Sequence, residues 1–256
     1  MKKFLLFVAL VATAFCAKAQ VNIQEQYDFN REHLTTTLEM FKMDKWGSTF
    51  FFTDIYHPDK LYGPTGYYTE IARGLNFWQN TKLGALSAHV EWNGGQFASN
   101  AWLFGAEYLL HSQDFRYTLT LEVLYKDISG QKLLDQDPAR PYDKVSDVPL
   151  QFTIVWGCTD IFGLKGLTFS GFADFWWENY CWGVKENGDP DNTSVVFISE
   201  PQLWYNIGSL FGCPNLNIGG EVEFAYNFAG GWRSDLDFYK NKGLTIAPAC
   251  GIKWNF

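Results

Sequence analysis

Apolar and polar positions alternate with a period of two along most of the chain. In the segment 244–256, Leu244, Ile246, Pro248, Cys250, Ile252, Trp254 and Phe256 fall on one face. Thr245, Ala247, Ala249, Gly251, Lys253 and Asn255 fall on the other. In 116–126, Tyr117, Leu119, Leu121, Val123 and Tyr125 oppose Arg116, Thr118, Thr120, Glu122 and Lys126, with Leu124 the one apolar residue on the polar side. In 216–228, Leu216, Ile218, Val222, Phe224, Tyr226 and Phe228 oppose Asn217, Glu221, Glu223 and Asn227. In 84–93, Leu86, Ala88, Val90 and Trp92 oppose Ser87, His89, Glu91 and Asn93. This is the signature of strands with one apolar and one polar face, and no segment keeps a helical period over three turns.

About twelve such segments are predicted: 21–30, 34–43, 47–56, 66–76, 84–93, 99–111, 115–126, 148–158, 166–178, 194–207, 216–228 and 243–256. The connections sort by length. Those near Asp44, Gln79, Ser112, 160–165 and 209–215 are short or compact. The alternate set includes 57–65, 129–147, 179–193 and 229–242, rich in Gly, Pro, Asp and Asn; the short connection 31–33 is its exception. An even number of antiparallel strands, with short turns on one side and long loops on the other, predicts a transmembrane β-barrel of the outer-membrane type. The apolar face then meets lipid, the polar face lines the lumen, and both termini lie on the periplasmic side. A soluble secreted β-barrel is the alternative at the level of the fold.

Composition agrees. Aromatic residues make up 18% of the 256 residues, with 11 Trp, yet mean hydropathy is -0.16. Many aromatics without long apolar runs is what alternation produces. Rings gathered near segment ends, among them Trp46, Trp78, Trp92, Trp102, Trp176, Trp177, Trp204 and Trp254, suit the two headgroup levels of a membrane. A net charge of -8 argues against a nucleic-acid-binding surface.

The segment 1–19 reads as a secretory signal. Lys2 and Lys3 precede an apolar run from Phe4 to Phe15, and Ala17-Lys18-Ala19 is an A-x-A cleavage site before Gln20. That run is short of the roughly 20 residues a membrane-spanning helix needs. Residues 20–256 then form a single barrel domain placed in the outer membrane, with lipid around it. Its final strand, ending at Phe256, is the segment expected to meet the barrel-assembly machinery. The remaining cysteines, Cys158, Cys181, Cys213 and Cys250, match no zinc spacing. Cys181 and Cys213 fall in predicted connections, and their pairing is left open. No cofactor or metal is implied.

Charge on the inward parity points to the lumen, because a charged side chain facing the bilayer midplane costs a few kcal/mol. The acidic candidates are Asp54, Glu70, Glu91, Glu107, Glu122, Asp174, Glu178, Glu200, Glu221 and Glu223, with Arg116 and Lys253 as counter-charges. Phe51, Tyr68, Phe172, Trp176 and Trp204 share that parity. An acidic lumen disfavours anionic solutes such as phosphates and suits neutral or cationic ones. A ring beside a carboxylate could stack a flat base while its neighbour bonds the edge.

Short motifs carry a resemblance. The stretch 46–54, Trp-Gly-Ser-Thr-Phe-Phe-Phe-Thr-Asp, resembles the Gly-x-x-(aromatic run)-x-Asp segment of the nucleoside-specific channel-forming outer-membrane porins, a Tsx-like family. Tyr67-Tyr68-Thr69-Glu70 resembles their aromatic-Glu stretch one strand later, and Phe197-Ile198-Ser199-Glu200-Pro201 their Glu-Pro strand. The resemblance implies a monomeric barrel whose narrow lumen passes nucleosides by passive diffusion, with Asp54, Glu70 and Glu200 in the lumen. Two other readings stay open. One is a non-transporting barrel, an adhesin or structural protein acting through loop 127–147. The other is an outer-membrane hydrolase, for which Ser87 and His89 are the one hydroxyl–imidazole pair on a shared face. All four histidines are predicted inward, and neither G-x-S-x-G nor H-E-x-x-H occurs. No enzymatic activity is therefore expected.

Overall fold

The computed structural model describes residues 20–57, 66–95, 100–128, 146–228 and 242–256. The segment 1–19, read above as a signal, and most of the predicted long loops lie outside these residues. Thirteen strands follow in order: β1 (Gln20–Asp28), β2 (His33–Asp44), β3 (Gly47–His57), β4 (Gly66–Leu75), β5 (Leu86–Gly95), β6 (Ala101–His111) and β7 (Tyr117–Ile128). β8 (Leu150–Thr159), β9 (Leu167–Val184), β10 (Pro190–Ser199), β11 (Gln202–Asn206), β12 (Leu216–Tyr226) and β13 (Leu244–Asn255) complete the set.

Every pairing is antiparallel, all but β9–β11 and β10–β12 run between chain neighbours, and β13 returns to β1 with Asn255 beside Asn22. The sheet is therefore closed. β10 and β11 are two pieces of one stave, since both pair with β9 on one side and β12 on the other. The result is a closed antiparallel barrel of twelve staves, of outer-membrane type. Closure leaves no edge strand whose amides would lack partners in lipid.

The break in the tenth stave falls at Glu200-Pro201. Proline has no N–H to give the ladder and sits at such interruptions. Here the Glu200 amide bonds Phe172 O at 3.1 Å, and Pro201 O accepts from Val222 at 3.1 Å. Opposite stands Gly171, where a Cβ would lie 2.4 Å from Glu200 O.

The predicted strands correspond to observed ones with ends shifted by a few residues, except at one hairpin. The expected loop 179–193 is largely strand, because β9 and β10 continue to Val184 and Pro190. A compact turn closes them: Lys185 N bonds Asp189 O at 2.8 Å and Gly188, at φ +88, bonds Lys185 O at 2.9 Å. Cys181 thus lies on a strand. Cys158, Cys213 and Cys250 are free thiols.

The outward face carries the apolar set. Ile71, Trp102, Phe104, Val123, Phe152, Ile154, Ile218, Ile246 and Ile252 are each at least two-fifths exposed. The inward face is polar and buried, as in Asn22, Gln24, Gln26 and Asp28 on β1. That is inside-out relative to a water-soluble barrel and fits a lipid surround. No helix among the described residues is long and apolar enough to cross a membrane.

One end of the barrel holds the start of β1, the end of β13 and the turns 45–46, 76–85, 112–116, 160–166 and 207–215; β7 ends and β8 begins, and β12 ends and β13 begins, at the other end. We call these the terminal end and the loop end.

Candidate lumen site

The loop-end half of the lumen is an open vestibule. Its wall carries six carboxylates, Asp54, Glu70, Asp174, Glu178, Glu200 and Glu223, against two cations, Arg31 and Lys126. Aromatic rings lie among them: Phe52 and Tyr56 from β3, Tyr68 from β4, and Phe172 and Trp176 from β9. Strand alternation puts these side chains inside, and most of the carboxylates are held by a neighbour on the same sheet.

Thr37 donates to Asp54 at 2.5 Å across the β2–β3 pair, and Tyr68 donates to Glu70 at 2.6 Å from two residues away on one strand. Thr153 donates to Asp174 at 2.6 Å, and Trp176 Nε1 donates to Glu178 at 3.0 Å. Glu200 accepts no hydrogen bond from any described residue. It stands next to the Pro201 interruption.

The cations are tied down. Lys126 donates to Gln151 at 2.7 Å and lies 3.8 Å from the centre of the Trp176 ring. Arg31, from the 29–32 turn, bridges Asp28 at 2.9 Å and Glu223 at 2.5 Å. Burial opposes its charge, but Glu223 and Asp28 outweigh that and hold the guanidinium firmly protonated. With the basic groups committed, the vestibule presents a net negative field with rings beside it.

Beneath the vestibule the lumen is packed. Leu103 and Leu124 are fully buried and touch Ala101, which makes Leu124, the apolar exception of its strand, part of a plug. Trp204 is 1% exposed; its Nε1 donates to Gln202 at 3.0 Å and Lys253 caps its ring at 4.4 Å. Gly219 opposite makes room for the indole, since a Cβ there would stand 2.9 Å from it. On the β5–β7 side of the lumen, His89 lies between Glu107 Oε2 at 2.7 Å from Nδ1 and Glu91 Oε2 at 3.2 Å from Nε2, with Glu122 at 3.8 Å.

The structure therefore brings Asp54, Glu70, Tyr68, Asp174, Glu200 and Glu223 together in the vestibule. It places Glu91, Glu107, Glu122, Trp204 and Lys253 deeper in the lumen. Two expected residues are elsewhere. Phe51 faces lipid, because Asp54 fixes the even positions of β3 as inward, and Phe52 takes the lumen position, packed at 5.8 Å against both Phe50 and Tyr68. Arg116 lies in the 112–116 turn, half exposed and bound to Asp114 at 2.6 Å. Ser112 and then Arg116 hold the Asp114 carboxyl well below its usual range.

Three further expectations are corrected. Trp176 and Trp204, expected both in the girdle and on the inward face, are buried on the inward face. Phe228 turns inward against Trp176 at 6.0 Å, since Asn227 has φ +52 and breaks the alternation. His57 points outward, where Thr36 Oγ1 stands 2.8 Å from its Nε2 and 2.6 Å from Glu25 Oε2. Ser87 and His89 are buried inside, away from lipid.

Sequence reasoning missed Arg31 and Lys126 as site residues. Arg31 sits in a turn that alternation does not cover. Lys126 was visible on the inward parity beside Glu122, and that was the available signal.

Known structures with a similar fold include the outer membrane phospholipase A from Escherichia coli, at 11% identity and TM-score 0.46, covering 93% of this chain and 92% of that one. The calcium-bound dimer of the Salmonella typhi outer membrane phospholipase covers 93% and 90%, at 11% identity and TM-score 0.44. OccK5 (OpdH) from Pseudomonas aeruginosa covers 93% and 97%, at 9% identity and TM-score 0.36. No curated protein matches the sequence. Residues 20–256, the whole barrel, match the family described as domain of unknown function DUF5020, and the chain belongs to that family.

Proposed function

We propose that this protein is a monomeric outer-membrane channel that admits small neutral or cationic solutes from the loop end, with nucleosides as the leading class. One observation carries the reading: in a single vestibule, carboxylates that accept hydrogen bonds stand beside aromatic faces that can stack a flat ring. Six carboxylates against two committed cations repel phosphates. Phe52, Tyr68 and Phe172 offer π-faces, and stacking of a base on a ring contributes about 1–3 kcal/mol. Glu200 and Asp54 then bind hydroxyl or amino groups at its edge.

On this reading the loop end is extracellular and the terminal end periplasmic, following export by the predicted signal sequence. Passage beyond the vestibule requires Leu103, Leu124 and Trp204 to move, so the channel is slow and selective rather than an open general pore. A catalytic role draws no support from the outward Glu25–Thr36–His57 group. Its order is acid, hydroxyl, imidazole, and no carboxylate among the described residues stands behind the imidazole to orient it as a base.

The test is solute uptake into liposomes carrying the refolded barrel, comparing adenosine and thymidine with sugars and amino acids of similar size. Saturable nucleoside entry that is blocked by excess nucleoside supports the reading. Equal entry of all solutes reduces it to a narrow general pore. A folded barrel that admits nothing sinks it and turns attention to the loops, as an adhesin or structural barrel would require.

A further inference from the structure

Below the vestibule, three neighbouring strands converge on one imidazole. His89 and Glu91 come from β5, Glu107 from β6 and Glu122 from β7, all on the inward face. We propose that this group is a binding site for a divalent transition-metal cation of the Zn²⁺ type, with His89, Glu91 and Glu122 as ligands and Glu107 holding the imidazole from behind.

The donor set fits. One donor atom from each of His89, Glu91 and Glu122 lies within 4.8 Å of the other two. Two ligands on one tetrahedral zinc, each about 2.0–2.1 Å from the metal, stand roughly 3.3 Å apart. His89 Nε2 and Glu91 Oε2 are already 3.2 Å apart. Imidazole nitrogen with carboxylate oxygen is a set that zinc and its neighbours accept, whereas calcium and magnesium take oxygen alone.

The orientation fits as well. A metal-bound histidine commonly donates its other ring N–H to a carboxylate, which fixes the tautomer and aims the lone pair. Glu107 Oε2, 2.7 Å from Nδ1, stands in that place and leaves Nε2 for the metal.

A second observation is independent of that arrangement. The Glu122 side chain is 7% exposed and its carboxylate accepts no hydrogen bond from any described residue; its one charged neighbour is His89, whose Nδ1 lies 3.8 Å away, so it must turn toward the Nε2 side to join the metal. A carboxylate buried this deeply is normally hydrogen-bonded or bound to a cation. The neighbouring basic groups are committed elsewhere: Lys126 to Gln151 and the Trp176 ring, and Arg73 to Thr49 and Asp44. Three carboxylates surround one imidazole, so the group has more acidic donors than bases, and a divalent cation would take the place that His89 alone fills among them.

The strands also leave space. In the row that runs across the sheet, His89 is flanked by Gly74 on β4 and Gly105 on β6. A Cβ on Gly74 would lie 2.1 Å from Glu107 Oε1, so a side chain there would push Glu107 out of its position. The site pins three strands beneath the vestibule, and it does not depend on which solute the vestibule takes.

The experiment uses tag-free, detergent-refolded barrel, stripped with a chelator and titrated with Zn²⁺ alone in competition with a chromophoric chelator. Folding is checked in each sample by heat-modifiable gel mobility. One equivalent of Zn²⁺ should bind the wild type. Binding should be lost in His89→Gln, weaken at least ten-fold in Glu122→Gln, weaken about 10–100-fold in Glu107→Gln, and stay unchanged in the vestibule variant Glu70→Gln. Folded wild type that takes up no Zn²⁺, or folded Glu122→Gln that binds as tightly as wild type, overturns the proposal. If the variants do not fold, X-ray absorption on the loaded wild type decides. Nitrogen and oxygen ligands including an imidazole uphold the site, and sulfur ligands, which would point to the free cysteines, overturn it.

Discussion

The ammonium of Lys126 lies 3.8 Å from the centre of the Trp176 ring, so the vestibule's strand-borne cation covers one of its broadest aromatic faces. A cation over a ring contributes about 0.5–2 kcal/mol. The same pairing denies the ring to a solute and offsets one carboxylate.

Removing that lysine should therefore strengthen both selectivities at once. Lys126→Met keeps the aliphatic stem but drops the charge. Reversal potentials in planar bilayers should shift further toward cations, and half-saturation for adenosine uptake should fall several-fold as the Trp176 face opens. An unchanged reversal potential would mean that permeating ions do not sense the vestibule wall.

The carboxylates predict the opposite displacement. A hydrogen bond to a charged group contributes roughly 1.5–3 kcal/mol net, equivalent to about ten- to a hundred-fold in affinity. Glu200→Gln and Asp54→Asn should each weaken saturable nucleoside uptake by about ten-fold and reduce cation preference. Glu200 should have the larger effect, because Thr37 already occupies part of Asp54 while no described residue donates to Glu200. Arg116→Ala should change neither quantity, since Arg116 binds Asp114 in an outer turn.

The plug makes a separate prediction. Leu103 and Leu124 are fully buried beneath the vestibule. Leu103→Ala with Leu124→Ala should raise single-channel conductance severalfold and blunt discrimination among solutes. Each truncation should also lower stability by about 2–5 kcal/mol, read from urea titration of the folded gel band. Conductance that stays at the wild-type value would place the rate-limiting barrier elsewhere, with Trp204 the next residue to truncate.

Period-two alternation carried the barrel, and with it most of the lumen face, because each strand contacts lipid on one side and water or buried polar groups on the other. It failed where the backbone departs from regular pleating. The left-handed Asn227 turned Phe228 inward, and the 112–116 turn took Arg116 out of the strand. Phe51 was misplaced for another reason. The run Phe50-Phe51-Phe52 has no polar member to mark its parity, so only Asp54 two pleats on assigns the faces. Convergence across strands was not legible at all. His89, Glu107 and Glu122 meet through the register of β5, β6 and β7, and register depends on turns that composition does not specify.

Phe51 and Phe52 offer the sharpest test of the barrel itself. They are adjacent and chemically identical, yet Phe51 faces outward at mid-strand while Phe52 lies opposite Glu70 inside. An arginine facing lipid near the midplane costs about 2–4 kcal/mol, whereas one facing the lumen costs little. Phe51→Arg should therefore destabilise the lipid-embedded barrel by roughly that amount. Phe52→Arg should lose only its contacts with Phe50 and Tyr68, and it regains part of that by pairing with Glu70. The two urea midpoints in lipid vesicles should differ clearly, with Phe51→Arg the less stable. Equal midpoints, or the reverse order, would mean that the odd face of β3 does not meet lipid, and the membrane reading of the whole barrel would fall with it.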